Sequence, residues 1–203
     1  EDPKKVINHL KRILFVELKK YNISADDAIV LTPMNRSIIG TYALNNSLQE
    51  ILNPDAKQHV NYTATKFKIN DKVMQIKNNY DKHVYNGDIG IIDKIDYEEK
   101  EVIVNFDKHF VTYDFDELSE LVLAYAISIH KSQGSEYNAV IVPIFMQHFM
   151  LLQKNLIYTA LTRAKKLCIF LGQPKALALA IKNNKGTGRL TFLKDFLTGE
   201  ILE

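Results

Sequence analysis

The chain predicts an α/β architecture: a parallel sheet flanked by helices and interrupted by a small inserted antiparallel barrel. Three observations lead there. Short, almost wholly apolar runs at 28–32, 139–143 and 167–171 have the look of strands buried on both faces of a parallel sheet. Between residues 66 and 118 the pattern changes to short alternating strands separated by turn residues, the signature of a small barrel. Helical periodicity surrounds both regions. The division that follows is 1–65 for the first part of the α/β domain, 66–118 for the barrel and 119–203 for the remainder.

Taken in order, Val6, Leu10, Ile13, Leu14 and Leu18 recur at three- and four-residue steps and predict an amphipathic helix over 4–21, ended by Asn22. Strand 28–32 stops at Pro33, and a helix over 37–52 runs up to Asn53-Pro54. Such a strand–turn–helix unit binds ligands at the strand's carboxyl end in open sheets. Barrel strands are predicted at 72–77, 89–95, 101–106 and 110–115, with Gly87 and Gly90 supplying a tight turn and a close backbone approach. Parallel-sheet character returns at 121–126, followed by a helix containing His130 and strand 139–143. A helix carrying Arg163, strand 167–171 and a helix over 174–182 complete the series.

Composition excludes several classes. With 203 residues, 46% of them hydrophobic, the chain has enough apolar surface for a core. No apolar run approaches the roughly 20 residues of a membrane span, so a soluble protein is expected. A single cysteine, Cys168, inside an apolar strand, excludes an internal disulfide and a cysteine zinc site and reads as an inert thiol. No metal ligand set is found, and none of the eight glycines is followed by lysine, so no Walker phosphate loop is present. The first residue is Glu1, and both ends read as cut from a longer chain, with Leu202-Glu203 as vector sequence. The net charge of +2 is uneven: 8 basic against 7 acidic residues over 1–65, 8 against 12 over 66–118, and 10 against 5 over 119–203. Within the acidic barrel, Lys66, Lys68, Lys72, Lys77 and Lys82 face only Asp71 and Asp81, a locally basic stretch that suits phosphates or simply a solvated face.

The chemistry-bearing strings are three. Residues 124–136 read Ala-Tyr-Ala-Ile-Ser-Ile-His-Lys-Ser-Gln-Gly-Ser-Glu, and residues 158–164 read Tyr-Thr-Ala-Leu-Thr-Arg-Ala. Residues 150–170 contain no acid, so Arg163 has no local partner and implies an external anion, with Tyr158 packing one turn away to orient it. Residues 29–37, Ile-Val-Leu-Thr-Pro-Met-Asn-Arg-Ser, set Arg36 just past a strand, at the carboxyl edge of the sheet. Taken together these strings resemble the motor motifs of superfamily 1 helicases, nearest to the RecD-like branch, and the segment 72–90 resembles the SH3-like barrel carried between those motifs in that branch.

The resemblance implies a RecA-like second motor domain with an inserted SH3-like barrel, part of an ATP-dependent 5'→3' DNA helicase. It implies that Arg163 and Arg36 close over the γ-phosphate, with Arg163 as the arginine finger. Gly134, Gln133 and Glu136 fall on the nucleotide side, Glu136 accepting from the ribose hydroxyls and Gln133 standing where many UvrD-like members carry lysine. His130 and Ser132 fall on the DNA side. The same reading expects the Arg163 side chain to be unengaged by its own domain and to open at the carboxyl ends of the sheet. In the barrel, Lys72, Lys77, Asn78, Asn79, Tyr80 and Tyr85 offer cations, amides and aromatic faces for single-stranded DNA, or equally a core tyrosine with loop asparagines. ATP and Mg2+ are expected to be held mainly by an absent N-terminal motor domain, so the chain alone is expected not to turn over ATP. Implied partners are single-stranded DNA, that motor domain and other subunits of a recombination nuclease complex, in the cytoplasm at the bacterial nucleoid. A passive nucleic-acid or protein-binding adaptor and a superfamily 1 RNA helicase remain as alternatives.

Overall fold

The computed structural model describes residues 5–183; residues 1–4 and 184–203, including Leu202-Glu203, lie outside the described part. In chain order the elements are α1 (Val6–Arg12), β1 (Ala28–Thr32), α2 (Thr41–Leu52), β2 (His59–Tyr62), β3 (Thr65–Lys68), β4 (Lys72–Gln75), β5 (Ile89–Asp96), β6 (Glu101–Phe106) and β7 (His109–Asp114). They continue with β8 (Leu121–Leu123), β9 (Ala126–Ser128), β10 (Tyr137–Ile144), α3 (Lys154–Leu161), β11 (Ala164–Gly172) and α4 (Pro174–Lys182). The α/β class with an inserted SH3-like barrel is what the chain adopts.

The parallel sheet has the order β11-β10-β1-β9. Its central strand β1 is buried along its whole length because it is covered on both faces. Ala28 and Val30 join one core cluster with Leu10, Leu14, Leu44 and Leu48 from the N-terminal helices. Ile29 and Leu31 join the other, with Leu156, Ala160, Ala176 and Ala180 from α3 and α4. The alternation of a strand thus sorts one apolar run into two cores.

α1 buries the predicted stripe. A π turn (Ile13–Glu17) and a 3-10 turn (Leu18–Tyr21) carry it on. Arg12 and Lys20 both reach Glu17 across that irregular stretch, at 3.1 and 2.7 Å. Asn22, at φ 53, closes it as expected.

The antiparallel sheet has the order β7-β6-β5-β4-β8. An added Cβ on Gly90 would lie 2.7 Å from Val104 Cγ1 and 2.9 Å from the Asn105 carbonyl oxygen, so β5 and β6 approach closely there, as the sequence predicted.

Three expectations are corrected and one element is new. The helix after β1 starts at Thr41 rather than Ser37; residues 33–40 form a loop whose Met34 and Asn35 carbonyls accept from the Thr41 and Tyr42 amides at 3.1 and 3.4 Å. The run 121–126, expected as one parallel strand, divides: Leu121–Leu123 pairs antiparallel with β4, and Ala126–Ser128 pairs parallel with β1. Uniform hydrophobicity conceals a change of partner. The expected helix at His130 is one 3-10 turn, Ile129–Ser132, capped by the Ser128 hydroxyl accepting from the Lys131 amide at 3.4 Å. The hairpin β2–β3 was not anticipated; Thr63, at φ 49, makes its turn without the usual Gly or Asn signal.

Candidate functional site

Arg163 is the first residue to place. It stands just beyond α3 rather than on it, between Thr162 at the helix end and the first residue of β11. Its Nε donates to the Thr159 carbonyl at 3.2 Å, its Nη1 to the Ser135 carbonyl at 3.1 Å and its Nη2 to the Thr162 hydroxyl at 3.1 Å. The side chain is therefore engaged by its own domain, contrary to expectation. All three acceptors are neutral, and among the described residues no carboxylate pairs with it. A guanidinium has five N–H donors, so one on each terminal nitrogen is left over. Tyr158, expected to orient it, is 68% exposed, and its carbonyl accepts from Thr162.

Register fixes which edge of the sheet Arg163 occupies. Its carbonyl accepts from the Tyr137 amide at 2.8 Å, and Tyr137 pairs with Ala164, so it lies at the amino ends of β10 and β11, not at the carboxyl ends where it was expected. Glu136 is exposed at the same edge, 3.6 Å from Lys165 Nζ. Gly134 turns at φ 87, a conformation that side chains rarely adopt, and is exposed, as is Gln133. Arg36 is exposed four residues past Thr32, which pairs with Ser128 at the carboxyl ends. The two arginines therefore occupy opposite edges and do not converge on one phosphate. Position after a strand shows that a residue leaves the sheet, but not which edge faces which ligand.

The proposed strand contacts separate into two sets. His130 is exposed rather than a core histidine. Ser132, expected on the DNA side, is fully buried, its hydroxyl donating to the Ile129 carbonyl at 2.7 Å, so it shapes the turn. Lys72 is also a correction: its Nζ donates to the Asp26 and Ala28 carbonyls at 2.8 and 3.2 Å, fastening the barrel to the sheet, and burial pulls its ammonium below the ordinary lysine range. Lys68 is buried against Glu50 at 2.7 Å. Lys77 and Asn78 are exposed; the Asn78 Oδ1 accepts from the Asn86 amide at 2.9 Å and so orders the loop. Asn79 is engaged by the Lys82 amide and by Glu120. Tyr80 and Tyr85 are surface residues, 69% and 45% exposed, with ring centroids 6.1 Å apart and nearly edge to face.

Sequence reasoning missed a cleft between the carboxyl edge and the barrel. Asn35, Tyr42, Asn46, Thr65, Ser128 and Lys131 line it over a floor that includes Met74 and Ile127. Tyr42 and Asn46, one helical turn apart on the wet face of α2, were the available signal. Behind the cleft, the buried Asp71 carboxylate accepts from Asn53 Nδ2, the Lys68 amide and the Tyr125 hydroxyl at 2.7, 2.7 and 2.9 Å, and also from Gln49; burial pushes it up while these donors oppose the shift. The Cys168 thiol is pushed up to about 11 by burial, as befits an inert group. Among the described residues no cluster of three His, Cys, Asp or Glu is placed to hold a metal ion, and no helix is long and apolar enough to cross a membrane.

Comparison with known proteins follows this geometry. Residues 44–106 match the family model of the ATP-dependent RecD-like DNA helicase SH3 domain, and residues 123–171 that of the UvrD-like helicase C-terminal domain. The chain is 36% identical over 151 residues to the ATP-dependent RecD2 DNA helicase of Deinococcus radiodurans, covering 74% of this chain and 21% of that one. It is 30% identical over 176 residues to the RecBCD enzyme subunit RecD of Buchnera aphidicola (subsp. Acyrthosiphon pisum), covering 80% and 27%. It thus spans 21% and 27% of the length of these two curated relatives. Two solved structures share the fold: paired Pif1 helicases at forked double-stranded DNA (TM-score 0.54, 15% identity, covering 98% of this chain and 53% of that one), and Bacteroides Pif1 with ADP-AlF3 and single-stranded DNA (TM-score 0.53, 17% identity, 95% and 49%).

Proposed function

The chain belongs to the RecD-like superfamily 1 helicases and forms part of their C-terminal motor region; from that premise we propose that it supplies one wall of the nucleotide cleft and part of the strand path of an ATP-driven 5'→3' DNA helicase. The observation that carries the reading is Arg163, fixed at three nitrogens, unneutralised by any carboxylate among the described residues and on the same edge as Glu136. In this reading the two remaining N–H groups of Arg163 meet the γ-phosphate, where a rigid cation stabilises the charge of the transferring phosphoryl group. Glu136 accepts from the ribose hydroxyls, and the exposed turn at Gln133 and Gly134 lies beside the nucleotide. These residues fit the far side of a bound ATP. The phosphate loop and the Mg2+ ligands are assigned to the N-terminal motor domain, since the residues described here offer neither.

Single-stranded DNA is assigned to the opposite edge, where Lys131 lines the cleft beneath the barrel and Arg36 follows the lining residue Asn35; this moves Arg36 from the phosphate to the strand, while His130 lines a separate pocket with Gln133 and Thr159. The exposed Tyr80–Tyr85 pair and Lys77 extend that surface, with stacking worth about 1–3 kcal/mol per base. Cleft closure and reopening would then alternate the grip on DNA between the two motor domains. The Buchnera relative, by its name a RecBCD enzyme subunit, supports a place in a recombination nuclease complex, and the nucleoid as working location accompanies that reading.

The test is Arg163→Ala in the complete polypeptide. DNA-stimulated kcat should fall by about 10³ or more, with the KM for ATP changing far less. Undiminished hydrolysis would overturn the assignment. Forks with a 5' tail should be unwound and forks with a 3' tail left intact, and matched DNA and RNA competitors at fixed salt should favour DNA.

A further inference from the structure

Arg163 is held, and one of its holders is a side chain. The Thr162 hydroxyl accepts from Arg163 Nη2 at 3.1 Å while lying 3.0 Å from the Tyr158 carbonyl and 3.1 Å from the Thr159 carbonyl, to either of which it donates. The Thr159 carbonyl also takes Arg163 Nε. The last turn of α3, whose carbonyl end carries partial negative charge, thus forms a neutral cradle for the cation. Ser135, from the segment leading into β10, closes the cradle from the other side. The two carbonyls are main chain and survive any substitution; the hydroxyl is the one member of the set that a substitution removes.

We propose that Thr162 is a positioning residue for the phosphate-facing arginine, its hydroxyl fixing the guanidinium plane so that one N–H on each terminal nitrogen projects to an anion's pair of oxygens. This rests on the reading of Arg163 given above. Without the hydroxyl, Nη2 loses its anchor and the side chain swings about the bonds that Thr159 and Ser135 still hold. The loss falls on alignment with a transferring phosphoryl group, which is stringent, and spares ground-state nucleotide binding, which is not.

The test uses Thr162→Val, close in shape, with Thr162→Ala as a second variant and Thr162→Ser as the rescue, in the complete polypeptide with single-stranded DNA. Thr162→Val is expected to lower kcat about tenfold, the scale of one lost hydrogen bond to a charged group, with the KM for ATP and the affinity for ADP within about twofold. Affinity for ADP with aluminium fluoride should fall with kcat, and Thr162→Ser should restore both. Combined with Arg163→Ala, Thr162→Val should do nothing further, because its effect passes through the guanidinium. Additive losses in that pair, an unchanged kcat in both Val and Ala variants, or a parallel loss of ADP and analogue binding would overturn the proposal. If Arg163→Ala itself leaves hydrolysis intact, the reading of Arg163 fails instead, and the two failures are told apart by that single control.

Discussion

His148 is almost wholly buried, its Nδ1 accepts from the Phe145 amide at 3.4 Å, and its Nε2 has no partner among the described residues. Burial pulls its pKa from 6.5 down to about 4. The imidazole is therefore neutral in the folded chain, while the unfolded chain protonates near 6.5. Its contribution to stability is complete above that value and lost as pH falls from about 6.5 toward 4, on the order of 2 kcal/mol across the window. Urea midpoints measured between pH 7.5 and 4.5 should drop more steeply for the parent than for His148→Leu; parallel curves would refute the argument. Glu136 carries a second prediction: Glu136→Ala in the complete polypeptide should bring the KM values for ATP and 2'-deoxy-ATP together, and unchanged discrimination would remove Glu136 from the ribose. At this scale the sequence disclosed residue types and chemical strings. The absence of acid over 150–170 leaves Arg163 without a carboxylate nearby in the sequence. Its capture by carbonyls was not legible, because Ser135 is 28 residues away and its main chain carries no side-chain signature. Ser132 and Lys72 misled for the same reason, since a polar residue within a motif looks alike whether it faces a ligand or a neighbouring carbonyl.

Elements were read best where one period persisted. β1 falls where its continuous apolar run placed it, β5 to β7 fall within a residue of where alternation placed them, and the Asn22 stop ends the helical stripe, while β4 stops at Gln75, short of 77. Errors cluster where a stretch changes partners, as at 121–128, or where a loop delays the start of a helix, as at 37–40. Two elements carry predictions of their own. Gly90→Ala forces a methyl group against Val104 and the Asn105 carbonyl across β5–β6 and should cost about 1–3 kcal/mol of stability, read as a lower thermal midpoint; an unchanged midpoint would show that the strands separate freely. Asp71 joins α2, the end of β3 and Tyr125, so Asp71→Ala, which leaves several buried donors without an acceptor, should cost roughly 2–4 kcal/mol, a loss that chemical denaturation would register.

For the whole molecule, the parallel sheet has two working edges in the proposed reading, with Arg163 and Glu136 at one and Arg36 and Lys131 at the other. The purified 203-residue chain should show no DNA-stimulated ATP hydrolysis, and turnover by contaminant-free protein would contradict the division of labour proposed here. Its affinity for an unpaired oligonucleotide should fall steeply with salt and flatten in Lys131→Gln, because each cation bound to a phosphate releases counterions. The stretch Leu121–Ser128 has a last consequence. Its first three residues edge the barrel beside β4 and its last three edge the parallel sheet beside β1, so the insert is not a detachable cassette. Excision at 118 strips the border from β4 and bares its backbone to sticky pairing with other chains, and any grafting or deletion of this module has to carry the seam along with it.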